Sequence, residues 1–202
     1  MTLSMNGLKS SAIGLLALAI LPIAGGCAAP GGSGGGAPQP APAPPADNAV
    51  KIDSPKDARG VPLCNLLSPQ AAQSLGFQPQ GKQVENSLDS SQPPQCKWES
   101  AETDSQVITM TVLDRSIARD YYASPQTWKD FAKLDVAGHP AARANLDDPN
   151  STGFCDIFLA TQENQIVASQ VMLPGNAPNK AESCQIAQKA LEAAVPTLPP
   201  AK

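Results

Sequence analysis

Aromatic residues make up only 4% of this 202-residue chain, charged residues only 16%, and there is one histidine, His139. Each shortage removes a class of function. No stretch gathers Lys and Arg, and the formal charge is −4, so the electrostatic footprint that nucleic acid demands is missing. The same lack removes the polybasic patch that would hold a protein on anionic lipid without a covalent anchor. No Cys-x-x-Cys pair occurs among the 5 cysteines, so the spacing of a structural zinc site is absent. A single histidine leaves general acid–base chemistry near neutral pH one ordinary candidate. The glycines of 31–36 are not a phosphate loop, since no strand pattern precedes them and no Lys-Ser/Thr follows.

What is present begins with a leader. Lys9 and the amino terminus supply a thin positive region, and Ala12 to Ile23 form an apolar run. That run, as a helix of about 12 residues, spans ~18 Å and falls short of the ~30 Å hydrocarbon core of a bilayer. It reads as the apolar part of an export signal over residues 1–26. The run ends in Ile23-Ala24-Gly25-Gly26-Cys27, small residues leading into a cysteine. This resembles the lipobox of bacterial lipoproteins, in which the cysteine becomes the acylated (palmitate-type) N-terminus; the pattern favours Leu where Ala24 stands. Removing the leader with Lys9 leaves 13 basic against 18 acidic residues, a mature charge of −5.

Residues 27–57 then read as a tether. Ala28 to Ala46 is almost wholly Pro, Gly and Ala, too poor in apolar bulk to fold alone. Such a stretch holds a domain between ~25 Å and ~60 Å from its anchor. With Cys27 lipidated, Cys64, Cys96, Cys155 and Cys184 remain, an even number in the folded region 58–202. Outside the reducing cytoplasm they are expected to pair. Three connectivities are open and spacing alone does not choose. Cys64–Cys96 and Cys155–Cys184 are favoured because each closes one local loop, contributing about 3–4 kcal/mol apiece on the chain-entropy account.

Local patterns sketch the domain. Ser68-Pro69 through Gly76 predicts a short helix with Ser as cap, Pro at the first position and Gly as terminator. Strands are expected from Cys96, over Gln106–Leu113, at Leu134–Ala137 and Ala141–Asn145 around a Gly138-His139-Pro140 turn, and as a hairpin Phe154–Thr161 and Gln165–Leu173. A second helix is expected from Ser124-Pro125 to Lys133, with Trp128 and Phe131 at helical spacing. A third runs over Asn179–Val195 with an apolar stripe through Cys184, Ala187, Leu191 and Ala194. This order predicts an α+β fold: a mostly antiparallel sheet packed with two or three helices and stapled by two disulfides.

Several of these segments together resemble a known family. Pro62-Leu63-Cys64-Asn65-Leu66-Leu67-Ser68-Pro69, ending in Leu75-Gly76, is similar to the opening motif of domain of unknown function 3558, a family of actinobacterial lipoproteins. Cys96-Lys97-Trp98 looks like its Cys-x-Trp element, and Val136-Ala137-Gly138-His139-Pro140-Ala141 resembles its central turn. Phe154-Cys155, Ser183-Cys184 and Leu198-Pro199 complete a pattern covering about residues 60–200. The resemblance implies an envelope lipoprotein with two disulfides, and implies no reaction and no catalytic residues.

Candidate chemistry is sparse. His139 is expected in a solvated turn, with Ser151 and an Asp as the partners a hydrolase reading would need. Trp98, two residues from Cys96, is expected to pack on a disulfide, and Trp128 to lie in the core. Tyr121-Tyr122, after Arg119-Asp120, is the candidate ligand surface, together with Pro174-Gly175-Asn176-Ala177-Pro178. Asp147-Asp148 offers oxygens of the kind calcium accepts but lacks the spaced ligand series of a calcium loop. No cofactor and no metal are expected. The chain is therefore read as a non-catalytic binding module, anchored by lipid to the extracytoplasmic face of the cell membrane. Its expected partner is an envelope protein, a wall component or a small ligand. A hydrolase built on His139 and an accessory subunit of a membrane complex are the alternatives.

Overall fold

The computed structural model describes residues 50–85, 91–102 and 106–202, which fall within one compact unit, Pro44–Lys202. The leader, Cys27 and residues 28–49 lie outside the described residues. Residues 50–57, assigned to the tether above, lie against the domain: Val50 and Ile52 pack on it, and the Lys56 N–H donates to the Thr161 carbonyl at 2.9 Å.

Seven strands form one antiparallel sheet: β1 Lys82–Val84, β2 Gln95–Glu99, β3 Val107–Leu113, β4 Asp130–Val136, β5 His139–Asn145, β6 Phe154–Gln162 and β7 Gln165–Met172. Their order across the sheet is β1-β2-β3-β7-β6-β5-β4. Helices are few: α1 Pro69–Ser74, α2 Pro149–Thr152 and α3 Glu182–Ala194. The architecture is the expected α+β one. The Ser68 side chain caps α1 by accepting from the Ala71 N–H, with Pro69 in the first turn. Alternation of apolar and polar residues builds β2, β3 and β6, because successive side chains of a strand point to opposite faces.

One expected element is corrected. Ser124–Lys133 is not a helix. Only Pro125–Thr127 makes a 3-10 turn, and Asp130–Val136 continues as β4, paired along its whole length with β5. The hairpin turn at Ala137-Gly138, with φ of 52° and 80°, holds β4 in that ladder. Seven residues of pairing outweigh the two aromatic positions that suggested helical spacing. Trp128 and Phe131 do share a cluster, across a strand face rather than along a helix.

Each face of the sheet is finished differently. Under α3 lie Ile108 and Met110 of β3, Cys155, Ile157 and Leu159 of β6, and Val167 and Val171 of β7, all buried against Ala187, Ala190, Leu191 and Ala194. The disulfide Cys155–Cys184 ties β6 to this helix, and Cys64–Cys96 ties the 3-10 turn Leu63–Asn65 to β2. These are the favoured pairs. On the opposite face Ala142, Ala144, Ala160 and Ile166 are covered by Ile117, Tyr121, Tyr122 and Trp128.

Candidate functional site

Cross-strand register assembles the candidate site on the face away from α3. Asp156 of β6 stands opposite Gln170 of β7, which stands opposite Thr109 of β3, which stands opposite Lys97 of β2. The next row toward the strand ends is Phe154, Met172, Val107 and Glu99. The row on the other side of Asp156 holds Phe158 and Ala168, and here Tyr121 stacks on Phe158 with ring centroids 4.3 Å apart. The aromatic cover therefore ends at Phe158, leaving the Asp156 row half-buried and Met172 exposed at 48%.

Bonding along the polar row is directional. The Thr109 hydroxyl donates to Gln170 Oε1 at 3.2 Å, which turns the amide nitrogen of Gln170 onto Asp156 Oδ1 at 3.0 Å. Burial pushes the Asp156 carboxyl up to about 6, against the smaller opposing effect of the Gln170 hydrogen bond. Lys97 is paired with Glu99 at 2.9 Å, and that pairing holds the Glu99 carboxyl below its ordinary value.

Tyr121 and Tyr122, the candidate ligand surface of the sequence, occupy a π-helical turn, Ala118–Tyr122. Tyr121 is 3% exposed, stacked between Phe158 and Trp128, and burial raises its phenol strongly. It is cover for the sheet, not an open surface. Tyr122 is half-buried, donates its hydroxyl to the Ala141 carbonyl at 2.8 Å and lies under the Lys133 ammonium at 4.4 Å. Two consecutive aromatics after a charged pair read as a loop because the π turn has no sequence periodicity of its own.

His139 also moves from its expected place. It opens β5 instead of sitting in the solvated turn, is 3% exposed, and holds Nδ1 at 3.2 Å from the Ala160 carbonyl. Among the described residues no hydrogen bond joins it to a serine or a carboxylate. Ser151 lies in α2, donating to the Asp148 carbonyl. Asp148 caps α2 through its side chain, and no group of three or more His, Cys, Asp or Glu among the described residues could hold a metal ion. Trp98 is fully buried beside Cys96: a Cβ on Gly81 would come within 2.4 Å of the Cys96 sulfur and 2.5 Å of the Trp98 ring, so only glycine fits there. A cleft of about 260 Å³ is lined by Ala58, Arg59, Val61, Leu63, Pro93, Pro94 and Val112.

Sequence reasoning missed Asp156, Gln170 and Thr109. The available signal was a lone acid between Phe154 and Phe158 at a spacing of two, which puts all three on one strand face.

Among the described residues no helix is long and apolar enough to cross a membrane. A family model described as "Protein of unknown function (DUF3558)" matches residues 22–197. No curated protein and no solved structure matches the chain.

Proposed function

The chain belongs to the DUF3558 family, whose description assigns no reaction, and we propose that it is a lipid-anchored binding module on the outer face of the cytoplasmic membrane. One observation carries the reading. The four cysteines of the domain close on each other as Cys64–Cys96 and Cys155–Cys184, so the fifth, Cys27, is left at the end of the leader in a lipobox-like setting. Disulfides persist in oxidising compartments, which supports export. The Pro/Gly/Ala tract behind Cys27 gives the domain reach from the membrane. The half-open strand face with its polar row and exposed Met172 supplies a surface for contact.

Intact-mass spectrometry of membrane-extracted protein tests the anchor. The expected product starts at Cys27, carries acyl chains, and gains four hydrogens on reduction. A full-length product with its leader and five free thiols would overturn the reading. Crosslinking in intact cells tests the binding role, which predicts a captured partner on the Asp156 face.

A further inference from the structure

Asp156 gives up much of its hydration without being given a cation. It accepts the Gln170 amide, yet among the described residues no Lys or Arg pairs with it. Arg143, the basic residue of the neighbouring strand β5, stands opposite Ile157 and is engaged with Asp130, Nε to Oδ2 at 2.9 Å and Nη2 to Oδ1 at 2.8 Å. A half-buried carboxylate left in this state is costly, and each such group calls for an explanation. The surroundings are those of a seat and not of a filled core. Phe154 and Phe158 stand two positions either side of Asp156 on the same face of β6, and the small Ala168 of β7 stands opposite Phe158.

We propose that Asp156 anchors a subsite for an organic cation, a guanidinium or ammonium carried on an apolar stem. The cation meets the carboxylate beside the Phe154 ring, where the aromatic quadrupole adds to the attraction, while Phe158 stays under Tyr121 and walls the seat on its other side. The stem lies along Met172, whose unbranched thioether adapts to varied shapes. Thr109 positions the Gln170 amide, and Gln170 in turn fixes the carboxylate. The inference deepens the binding reading and rests on it. The acylation assay is separate, so failure here leaves the anchor standing.

The probe is n-butylguanidinium chloride, titrated at low salt into the detergent-solubilised full chain carrying methyl-labelled methionine. Met172 reports the site, and Met110, buried under α3, is the internal control. A saturable shift of the Met172 methyl alone is expected, with n-butanol giving none. Asp156→Asn is expected to weaken binding about tenfold or more. Lowering the pH of the wild-type protein from near 7.5 to near 5 is expected to weaken it likewise, because protonation passes through about 6. The titratable group facing Asp156 from the π turn is Tyr121, which also feels Arg115 and Asp120 and stays neutral over that range. No saturable shift, equal binding of butanol, or equal binding at both pH values would overturn the proposal; the pH arm needs no variant to fold. A blocked Leu-Arg-Leu peptide distinguishes the source of the cation. Tighter binding than the probe assigns it to a protein, and equal or weaker binding to a small molecule.

Discussion

The two faces of the sheet solve the same problem with opposite materials. Under α3 the contact is made by Ala187, Ala190, Leu191 and Ala194 against aliphatic strand residues, with Phe77 and Trp98 the aromatics of that core. The other face carries six of the chain's eight aromatics: Tyr121, Tyr122, Trp128, Phe131, Phe154 and Phe158. A helix delivers a continuous stripe, so small residues let it sit close at interior packing density. A π turn and a 3-10 turn deliver few side chains, so each must be large. The sheet is sealed where α3 covers it, whereas on the other face the turns run out before the sheet does. The first face carries the disulfide to the helix, and the second leaves its polar row half-open.

Cutting the staple of the sealed face is the strongest way to break this contrast. Replacing Cys155 and Cys184 together by Ala is expected to cost about 3–5 kcal/mol, within the usual range for a small exported domain. Urea unfolding of the full chain in detergent measures it. A cost no larger than that of a surface substitution would mean that α3 holds the sheet without its bridge.

Trp128→Ala sharpens the comparison from the other side. Trp128 is only half-buried and stacks on Tyr121 at 5.8 Å, so about 2 kcal/mol is expected, below the full cost of emptying a core tryptophan. Trp98 then remains as the one tryptophan and reports the α3 face. Its emission should stay that of a buried indole. A red shift would show that the two faces do not melt apart.

Much of the sealed face was legible in the residue pattern. Ser68-Pro69 marked α1, β-branched Val107–Leu113 marked β3, and Cys184, Ala187, Leu191 and Ala194 marked the stripe of α3. Those signals are local and periodic. The even cysteine count leaves three connectivities open, and the favoured local pairs Cys64–Cys96 and Cys155–Cys184 are the ones the structure holds. The second face was not legible, because it is made by register. Nothing near Asp156 in the chain announces Gln170 or Thr109, which reach it only when β6, β7 and β3 align. Tyr121, the candidate ligand surface, is hidden from sequence for the same reason: its burial depends on Phe158, 37 positions away in the chain. Gly138 and Pro140 flank His139 and suggest a turn there, while the turn residues are Ala137 and Gly138.

Asp156→Asn should raise stability. The folded carboxyl titrates near 6 against an ordinary 3.8, so between those values the folded state holds more protons than the unfolded one. Stability therefore falls as pH rises through that window and stays lower above it. Removing the charge is expected to return about 1–2 kcal/mol near pH 7.5, after allowance for solvent reaching the half-buried group, and next to nothing near pH 3. An equal gain at both pH values would exclude desolvation as the cause. A half-buried carboxylate whose neutral isostere proved more stable would fit a site kept for contact and not for folding.

The smallest expected effect lies at Lys133, at the border of the aromatic cover. Its ammonium sits over the Tyr122 ring, while Phe131 meets that ring edge-on at 6.4 Å. Lys133 also stands on β4, the last strand of the sheet, where a charged side chain discourages pairing with another strand. Lys133→Met keeps the stem and removes the charge, so the loss is expected to be about 0.5–1 kcal/mol, the worth of an exposed cation–π contact. Lys133→Arg should restore it, since a guanidinium also lies well on a ring. Self-association of the two variants separates the two duties of the charge. If Met lowers stability without raising association, the ring contact is its role, and the cluster extends its hold to the sheet edge. If association rises while stability is unchanged, the lysine guards the edge, and the aromatic cover is complete without it.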